Sequence, residues 1–196
     1  MGMTENPVKV AVILGSTRAG RFGPTVANWF IDHAQRRDDI AVDLIDLATE
    51  QLPAYMSSEP DPEGARALQS VGARLTAADG FVVITPEYNH SYPAPLKSAI
   101  DWHFTQWQAK PIGFVSYGGV SGGLRAVEHL RHVFAELHAV TVRDTVSFHG
   151  AGQLFDAAGQ LADPAAPAAA ADQLLDQLVW WGSALRTARA ARPYAA

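Results

Sequence analysis

The stretch that decides the fold is Val8-Lys9-Val10-Ala11-Val12-Ile13-Leu14, which runs directly into Gly15-Ser16-Thr17-Arg18-Ala19-Gly20-Arg21-Phe22-Gly23-Pro24. Its first half is an apolar run rich in β-branched residues, a pattern typical of a strand buried on both faces of a parallel sheet. Its second half offers glycines, two hydroxyls and two guanidiniums, and Pro24 suits the first turn of a helix predicted to end near Arg37. Backbone N–H groups, these side chains and the positive end of the helix dipole together favour a phosphate.

Two common phosphate-binding motifs are absent from this loop. The P-loop needs Gly-x-x-x-x-Gly-Lys-Ser/Thr, but Gly20 is followed by Arg21 and Phe22. The dinucleotide fingerprint Gly-x-Gly-x-x-Gly is absent as well, because Thr17 occupies the position of its second glycine. The loop therefore predicts a phosphate site of another kind, and a polar strand-to-helix turn without a ligand is the alternative interpretation.

The composition is that of an ordinary globular chain. With 196 residues, 48% hydrophobic and 18% charged, it predicts a single domain spanning residues 1–196. A net charge of −5, spread without long like-charge runs, argues against nucleic acid as the main partner. Cysteine is absent, which excludes disulfides, thiolate metal sites and cysteine nucleophiles. Neither an export signal nor a membrane-spanning apolar run is evident, so we expect a cytoplasmic protein without a membrane partner.

Strands and helices are predicted to alternate along the chain. Apolar runs indicate strands at 40–47, 80–85, 110–117 and 139–148. Apolar residues at helical spacing indicate helices at 63–78, 93–107, 124–137 and beyond an N-cap at Asp163. This β-α repetition is typical of a doubly wound parallel sheet. Ligands of such sheets bind beyond the carboxyl ends of the strands, which brings together the loops at 15–23, 86–92 and 117–123.

The second and third of these loops have compositions suited to a planar, negatively charged ligand. Pro86-Glu87-Tyr88-Asn89-His90-Ser91-Tyr92-Pro93 combines rigid prolines with aromatic and polar side chains, and a plain proline turn is the alternative. Ser116-Tyr117-Gly118-Gly119-Val120-Ser121-Gly122-Gly123 allows backbone to approach a ligand closely and opens a helix whose N-terminus favours negative charge. A reduced flavin carries such charge near its N1 and O2 atoms.

Three linked motifs carry a family resemblance: Gly-Ser-Thr-Arg after the first strand, Pro-Glu-Tyr-Asn after the third, and Ser-Tyr-Gly-Gly before the fourth helix. With them the chain resembles, from Val8 to Phe148, the NADPH-dependent FMN reductase family, which includes quinone, azo-dye and chromate reductases. The resemblance implies a flavodoxin-like α/β fold, with a five-stranded parallel sheet in the order 2-1-3-4-5 and helices on both faces.

The resemblance also implies roles for individual residues. Ser16 and Arg18 would hold the FMN phosphate, the Pro-Glu-Tyr-Asn residues would line the isoalloxazine, and Tyr117 with its two following glycines would meet the pyrimidine side. Where many members have Ser and Asn, this chain has Arg21 and Gly23, so Arg21 either completes the phosphate shell or meets the 2′-phosphate of NADPH. The predicted cofactor site comprises Ser16, Arg18, Arg21, Phe22, Gly23, Pro86, Glu87, Tyr88, Asn89, Ser116, Tyr117, Gly118 and Gly119.

The function implied is hydride transfer from NADPH or NADH through bound FMN to a small acceptor: a quinone, a flavin, an azo compound or a metal oxyanion. The flavin carries the chemistry, so no side chain is predicted to be catalytic and no metal is predicted. Relatives of this kind form homodimers or homotetramers with the flavin at a subunit interface. Trp102 and Trp107, predicted on the third helix, are candidates for such an interface or for the core.

Two other functions compete with this one. A flavodoxin-type electron carrier would bind the same cofactor without using a nicotinamide. A serine hydrolase is the second, because residues 119–123 match Gly-x-Ser-x-Gly with Ser121 as nucleophile, and Asp144 and His149 follow in hydrolase order. His129 and His132 share a helix face at a spacing compatible with a metal, although two ligands do not make a site. His90, in the second loop, is a candidate contact for the acceptor or a simple turn residue.

Overall fold

The computed structural model describes residues 6–195, in which five parallel strands form one sheet. The strands are β1 (Val8–Leu14), β2 (Ile40–Asp46), β3 (Gly80–Pro86), β4 (Pro111–Gly118) and β5 (Val140–His149). Their spatial order is β2-β1-β3-β4-β5, with every neighbouring pair parallel. The predicted sheet and its strand order are confirmed. The predicted domain limits at residues 1 and 196, and the interpretation of the first residues as lacking an export signal, lie partly outside the described residues.

Helices cover both faces of this sheet. They are α1 (Gly23–Ala34), α2 (Pro62–Ala77), α3 (Ala94–Asp101), α4 (Leu124–Glu136), α5 (Ala151–Leu154) and α6 (Ala165–Ala191). Neighbouring strand residues point to opposite faces, so Val10 and Val12 pack with α1 and α6, while Ala11 and Ile13 pack with α2, α3 and α4. The sheet is thus buried on both sides, as the unbroken apolar runs of β1 and β3 predict. None of the helices within residues 6–195 is long and apolar enough to cross a membrane.

The third helix is shorter than predicted. It ends at Asp101, and Trp107 lies beyond it with 1% of its surface exposed. The Trp107 ring packs edge-on against Phe81 and Phe134, at centroid distances of 4.8 and 5.4 Å. Burial of this large ring in the core outweighs continuation of the helix. Of the two alternatives for Trp107, an oligomer interface or the core, the structure therefore shows the core.

Other boundaries shift by smaller amounts. The first helix ends at Ala34, three residues before the predicted end at Arg37, in a turn closed by a hydrogen bond from Arg37 N to Ala34 O of 3.1 Å. The last strand is continuous from Val140 to His149. The residue preceding the final helix is Pro164, while Asp163 accepts a hydrogen bond of 3.2 Å from Ala165 N. The short helix α5 was not predicted.

Candidate functional site

Four loops meet at the carboxyl edge of the sheet and enclose a cleft of about 430 Å³. Its lining consists of Arg18, Phe22, Pro86, Glu87, Tyr88, Tyr117, Gly118, Gly119 and residues 150–153. Most residues of the predicted cofactor site are therefore brought together at one edge. The others, Ser16, Arg21, Gly23, Asn89 and Ser116, are outside this lining.

The fourth loop of the cleft, residues 150–153, was missed from the sequence. Gly150 has a left-handed φ of 62°, and its N–H donates to Gly119 O at 2.9 Å, which joins this loop to the glycine loop after β4. The rule that ligands bind beyond the carboxyl ends of parallel strands applies to β5 as much as to its neighbours. The loop after β5 could therefore have been predicted from its position at a strand end, although it carries no motif.

The loop after β1 is open to an anion. Within the described residues, none of the backbone N–H groups of residues 16–20 donates to a backbone acceptor. Helix α1 then begins at Gly23 without a side-chain acceptor on its first-turn N–H groups. The N–H groups of such a loop, together with the dipole of the helix that follows it, form a phosphate-binding arrangement. Ser16 is buried beside this loop, and its hydroxyl shares a 2.9 Å hydrogen bond with that of Tyr88.

The two arginines of this loop have different environments. Arg18 is exposed on the lining of the cleft. Arg21 donates from Nη1 to Ser16 O at 2.7 Å and forms a bidentate pair with Asp46 at the end of β2. The hydrogen bond to Asp46 raises the pKa of Arg21. Burial would raise the pKa of Asp46, but the hydrogen bonds from Arg21 and Ala48 N outweigh it, so the pKa is lowered. Arg18 is thus the free cation and Arg21 the paired one.

The carboxylate of Glu87 connects the second and third loops. Its Oε2 accepts from Ser121 Oγ at 2.5 Å and from Arg125 N at 3.2 Å, while Oε1 lies 3.1 Å from Arg125 Nη1. Burial would raise the pKa of Glu87, but these hydrogen bonds and the Arg125 charge outweigh it and hold the pKa below its usual range. Glu87 is therefore ionised at neutral pH and engaged on both oxygens. It positions two walls of the cleft.

The glycine loop after β4 is held by hydroxyl and imidazole donors beneath it. Gly122 O accepts from Ser116 Oγ at 2.8 Å and from Ser147 Oγ at 2.9 Å. His149 Nδ1 donates to Val120 O at 3.0 Å. These bonds explain the place of Ser116, which supports the loop from below. Gly118 and Gly119 consequently present rigid backbone, without side chains, to the cleft.

The second loop contains a tight turn. Tyr88 and Ser91 exchange backbone hydrogen bonds of 2.8 and 3.1 Å, and the residues between them, Asn89 and His90, have φ values of 48° and 74°. Positive φ at both central positions is typical of a type I′ turn, which asparagine tolerates better than most residues. Asn89 thus fixes the direction of the loop. His90 Nδ1 accepts from Arg125 Nη1 at 3.2 Å, which places it beside Arg125.

The hydrolase triad is not formed. Ser121 donates to Glu87, His149 Nδ1 donates to Val120 O, and Asp144 accepts from Arg143 and Gln177. Without a serine–histidine hydrogen bond the serine is not activated. His129 pairs through Nδ1 with Ser91 Oγ at 3.0 Å. Within residues 6–195, histidines and carboxylates do not gather in any group of three or more that would hold a metal.

The donor set of this edge fits FMN. The N–H groups of residues 16–20, the Arg18 guanidinium and the Tyr117 hydroxyl, which is buried without a hydrogen-bond partner in the described residues, suit a phosphate. The glycine loop and Tyr88 suit a flat ring. A parallel sheet of this strand order, with a phosphate-type loop and an adjoining open cleft, is typical of a ligand-binding α/β protein of the flavodoxin-like class.

The chain belongs to the NADPH-dependent FMN reductase family, whose model matches residues 8–153. It is 38% identical over 132 residues to an NAD(P)H-dependent FMN reductase of Schizosaccharomyces pombe, a match spanning 64% of each chain and therefore slightly less than two thirds of that relative. It is 32% identical over 142 residues to a quinone reductase of Escherichia coli strain K12, covering 69% of this chain and 73% of the relative.

A solved structure shows the same fold. The flavoenzyme NAD(P)H:(acceptor) oxidoreductase FerB of Paracoccus denitrificans superposes with a TM-score of 0.69 at 24% identity, covering 90% of this chain and 97% of its own. The predicted family and flavodoxin-like fold class are therefore confirmed. These relatives are named as an NAD(P)H-dependent FMN reductase and a quinone reductase, which agrees with the predicted oxidoreductase class.

Proposed function

We propose that this chain binds FMN in the cleft and oxidises NADPH or NADH, passing the hydride through the flavin to a small acceptor such as a quinone or a free flavin. The observation that carries the proposal is the junction of an anion-binding helix N-terminus with an open, glycine-walled cleft at one edge of the sheet. The choice of NAD(P)H as hydride donor and of a flavin or quinone as acceptor follows the names of the two relatives, an NAD(P)H-dependent FMN reductase and a quinone reductase. When bound, FMN supplies the hydride chemistry.

The chain's own residues act by binding and orientation. Arg18 and the N–H groups of residues 16–20 hold the phosphate, while Arg21 positions their loop through Asp46. Gly118 and Gly119 let backbone meet the ring, and Tyr88 contributes an aromatic wall. Glu87 is ionised and paired, so it is not a proton donor. The cleft remains open on one side, which leaves room for a nicotinamide and then for the acceptor.

We also propose that the protein forms a homodimer or homotetramer. Support comes from large apolar side chains that the chain leaves uncovered: Tyr55 and Met56, before α2, are 88% and 62% exposed, and Val120 at the cleft is 93% exposed. Sedimentation at several concentrations tests this, and a monomer at micromolar concentration would contradict it. The cytoplasmic location stays a prediction.

The test of the function begins with the colour of the purified protein. We expect yellow protein, or colourless protein that takes up one FMN per chain with quenching of flavin fluorescence. Anaerobic addition of NADPH alone should then bleach the bound FMN, and a quinone should restore the colour. A flavodoxin-type carrier would keep its oxidised spectrum with NADPH alone. Failure of the parent protein to bind FMN at all would refute the proposal.

A further inference from the structure

The hydroxyl of Tyr117 is the buried side-chain polar atom that lacks a partner in the described part of the chain. Tyr117 is only 6% exposed, on β4 at the edge of the cleft. A buried polar group without a partner costs free energy, and the large majority of buried side-chain polar atoms in native proteins have a partner. An orphan at the rim of a binding cleft indicates a partner that arrives with the ligand.

The first residue of α1 leaves space for this hydroxyl. A Cβ placed on Gly23 would lie 2.8 Å from Tyr117 Oη and 2.8 Å from Leu14 Cδ1. A side chain at position 23 is therefore excluded, and the phenol occupies the space it would have taken. The hydroxyl thus reaches the N-terminus of α1, where the helix dipole and the N–H groups of the preceding loop favour an anion.

The neighbouring groups do not use this hydroxyl. Ser16 lies close enough to lower the pKa of Tyr117, but its hydroxyl makes its 2.9 Å hydrogen bond with Tyr88, and the Tyr117 hydroxyl has no hydrogen-bond partner among the described residues. The Arg21 guanidinium is bound to Asp46. Burial is the largest influence and raises the pKa of Tyr117 to about 12, despite the lowering effects of Arg21 and Arg18. The phenol therefore keeps its proton at neutral pH.

We propose that Tyr117 Oη donates a hydrogen bond to the FMN phosphate and, with Gly23, selects phosphorylated over unphosphorylated flavin. This rests on the proposed function and changes one assignment in it, because the resemblance implies a contact of Tyr117 with the pyrimidine side. The ring still lines the cleft, and its hydroxyl points to the phosphate end. The hydroxyl of Tyr117, on β4, occupies the space that a side chain at position 23 would otherwise fill.

The test compares FMN with riboflavin, which lacks the phosphate, in the variant Tyr117→Phe. A hydrogen bond to a charged group predicts that FMN binding weakens by about tenfold or more while riboflavin binding is unchanged. The apoprotein supplies a second measurement: replacing an unsatisfied buried hydroxyl by hydrogen should leave the thermal midpoint unchanged or higher. The matched control is Tyr194→Phe, which removes a phenol bonded to His138 at 3.0 Å, away from the cleft lining, and should not alter either flavin.

Each other outcome overturns the proposal. Unchanged FMN affinity means that the hydroxyl does not meet the phosphate. Equal weakening of FMN and riboflavin assigns it to the ring. A lower thermal midpoint of the Tyr117→Phe apoprotein would show that the Tyr117 hydroxyl stabilises the fold. If the parent protein bound neither flavin, the proposed function itself would fail. Measuring the parent first distinguishes that failure from a failure of the Tyr117 proposal alone.

Discussion

Arg21 donates two hydrogen bonds of 2.5 Å each to the two carboxylate oxygens of Asp46, at the point where β2 ends. Both side chains are largely buried, with 15% and 19% of their surface exposed. The same guanidinium donates to Ser16 O. One arginine therefore joins the phosphate loop to the neighbouring strand, and its charge is neutralised before any ligand arrives. This arrangement is that of a positioning residue rather than a free phosphate ligand.

The first prediction concerns this pair. We expect Arg21→Ala and Asp46→Asn each to weaken FMN binding by about tenfold, because either change releases the loop, and the double variant to be no worse than the single ones. Fluorescence titration with FMN measures this. If Arg21 met the phosphate directly, Asp46→Asn would free it and strengthen binding. Arg74→Ala is the matched control, since Arg74 forms the same kind of pair with Asp43, also on β2.

The second prediction concerns Arg18, the exposed cation of the cleft. Loss of a charged contact to the phosphate in Arg18→Ala should weaken FMN binding by about tenfold or more and should make it less sensitive to salt. Riboflavin binding should not change. The control Arg143→Ala removes a side chain that is 89% exposed and whose ion-pair partner within residues 6–195 is its neighbour Asp144. Equal FMN affinity of Arg18→Ala and the parent would show that the phosphate lies elsewhere.

The third prediction concerns Ser121. Its hydroxyl donates to Glu87, so Ser121→Ala should loosen the contact between two walls of the cleft and weaken FMN and riboflavin alike, by about threefold. Ser121→Thr, which keeps the hydroxyl, should retain the parent affinities. A serine-directed phosphonate should not label the parent protein. Labelling at Ser121 would restore the hydrolase hypothesis.

The fourth prediction concerns pH and Lys110, which is buried and donates to the carbonyls of Leu75 and Thr76 at 2.8 and 3.0 Å. Burial, followed by repulsion from Arg189, lowers the pKa of Lys110 to about 8, although Asp79 acts in the opposite sense. Below pH 8 both the folded and unfolded states hold the proton. Between about pH 8 and pH 10.5 the unfolded state keeps a proton that the folded state has lost, so the free energy of unfolding rises with pH, by up to about 3 kcal/mol.

Denaturant unfolding between pH 7 and pH 10 measures this dependence. The variant Lys110→Met should lack the part of this rise in the free energy of unfolding that Lys110 causes. Comparing it with the parent at each pH cancels the contributions of the other titrating groups. The control Lys9→Met removes an exposed lysine and should leave the rise in place. Identical pH profiles for Lys110→Met and the parent would contradict the assignment.

Much of the fold was predictable because its signals are local. The apolar runs of β1 and β3 determine strands buried on both faces, and the order of strands and helices determines a parallel sheet whose loops meet at one edge. Three motifs at strand ends predict that Arg18, Glu87 and Gly118 lie at that edge. The end of α3 was not predictable, because the burial of Trp107 depends on Phe81 and Phe134 from distant parts of the chain.

The sequence by itself determined the elements, the sheet and the edge at which a ligand binds, since periodicity and strand-end chemistry act over a few residues. Only the tertiary structure decided which polar groups are free and which are paired. The hydrogen bond between Arg21 and Asp46 depends on strand register and helix packing. So does the position of the Tyr117 hydroxyl beside Gly23. Pairings between distant residues depend on three-dimensional distance, and no local pattern encodes that distance.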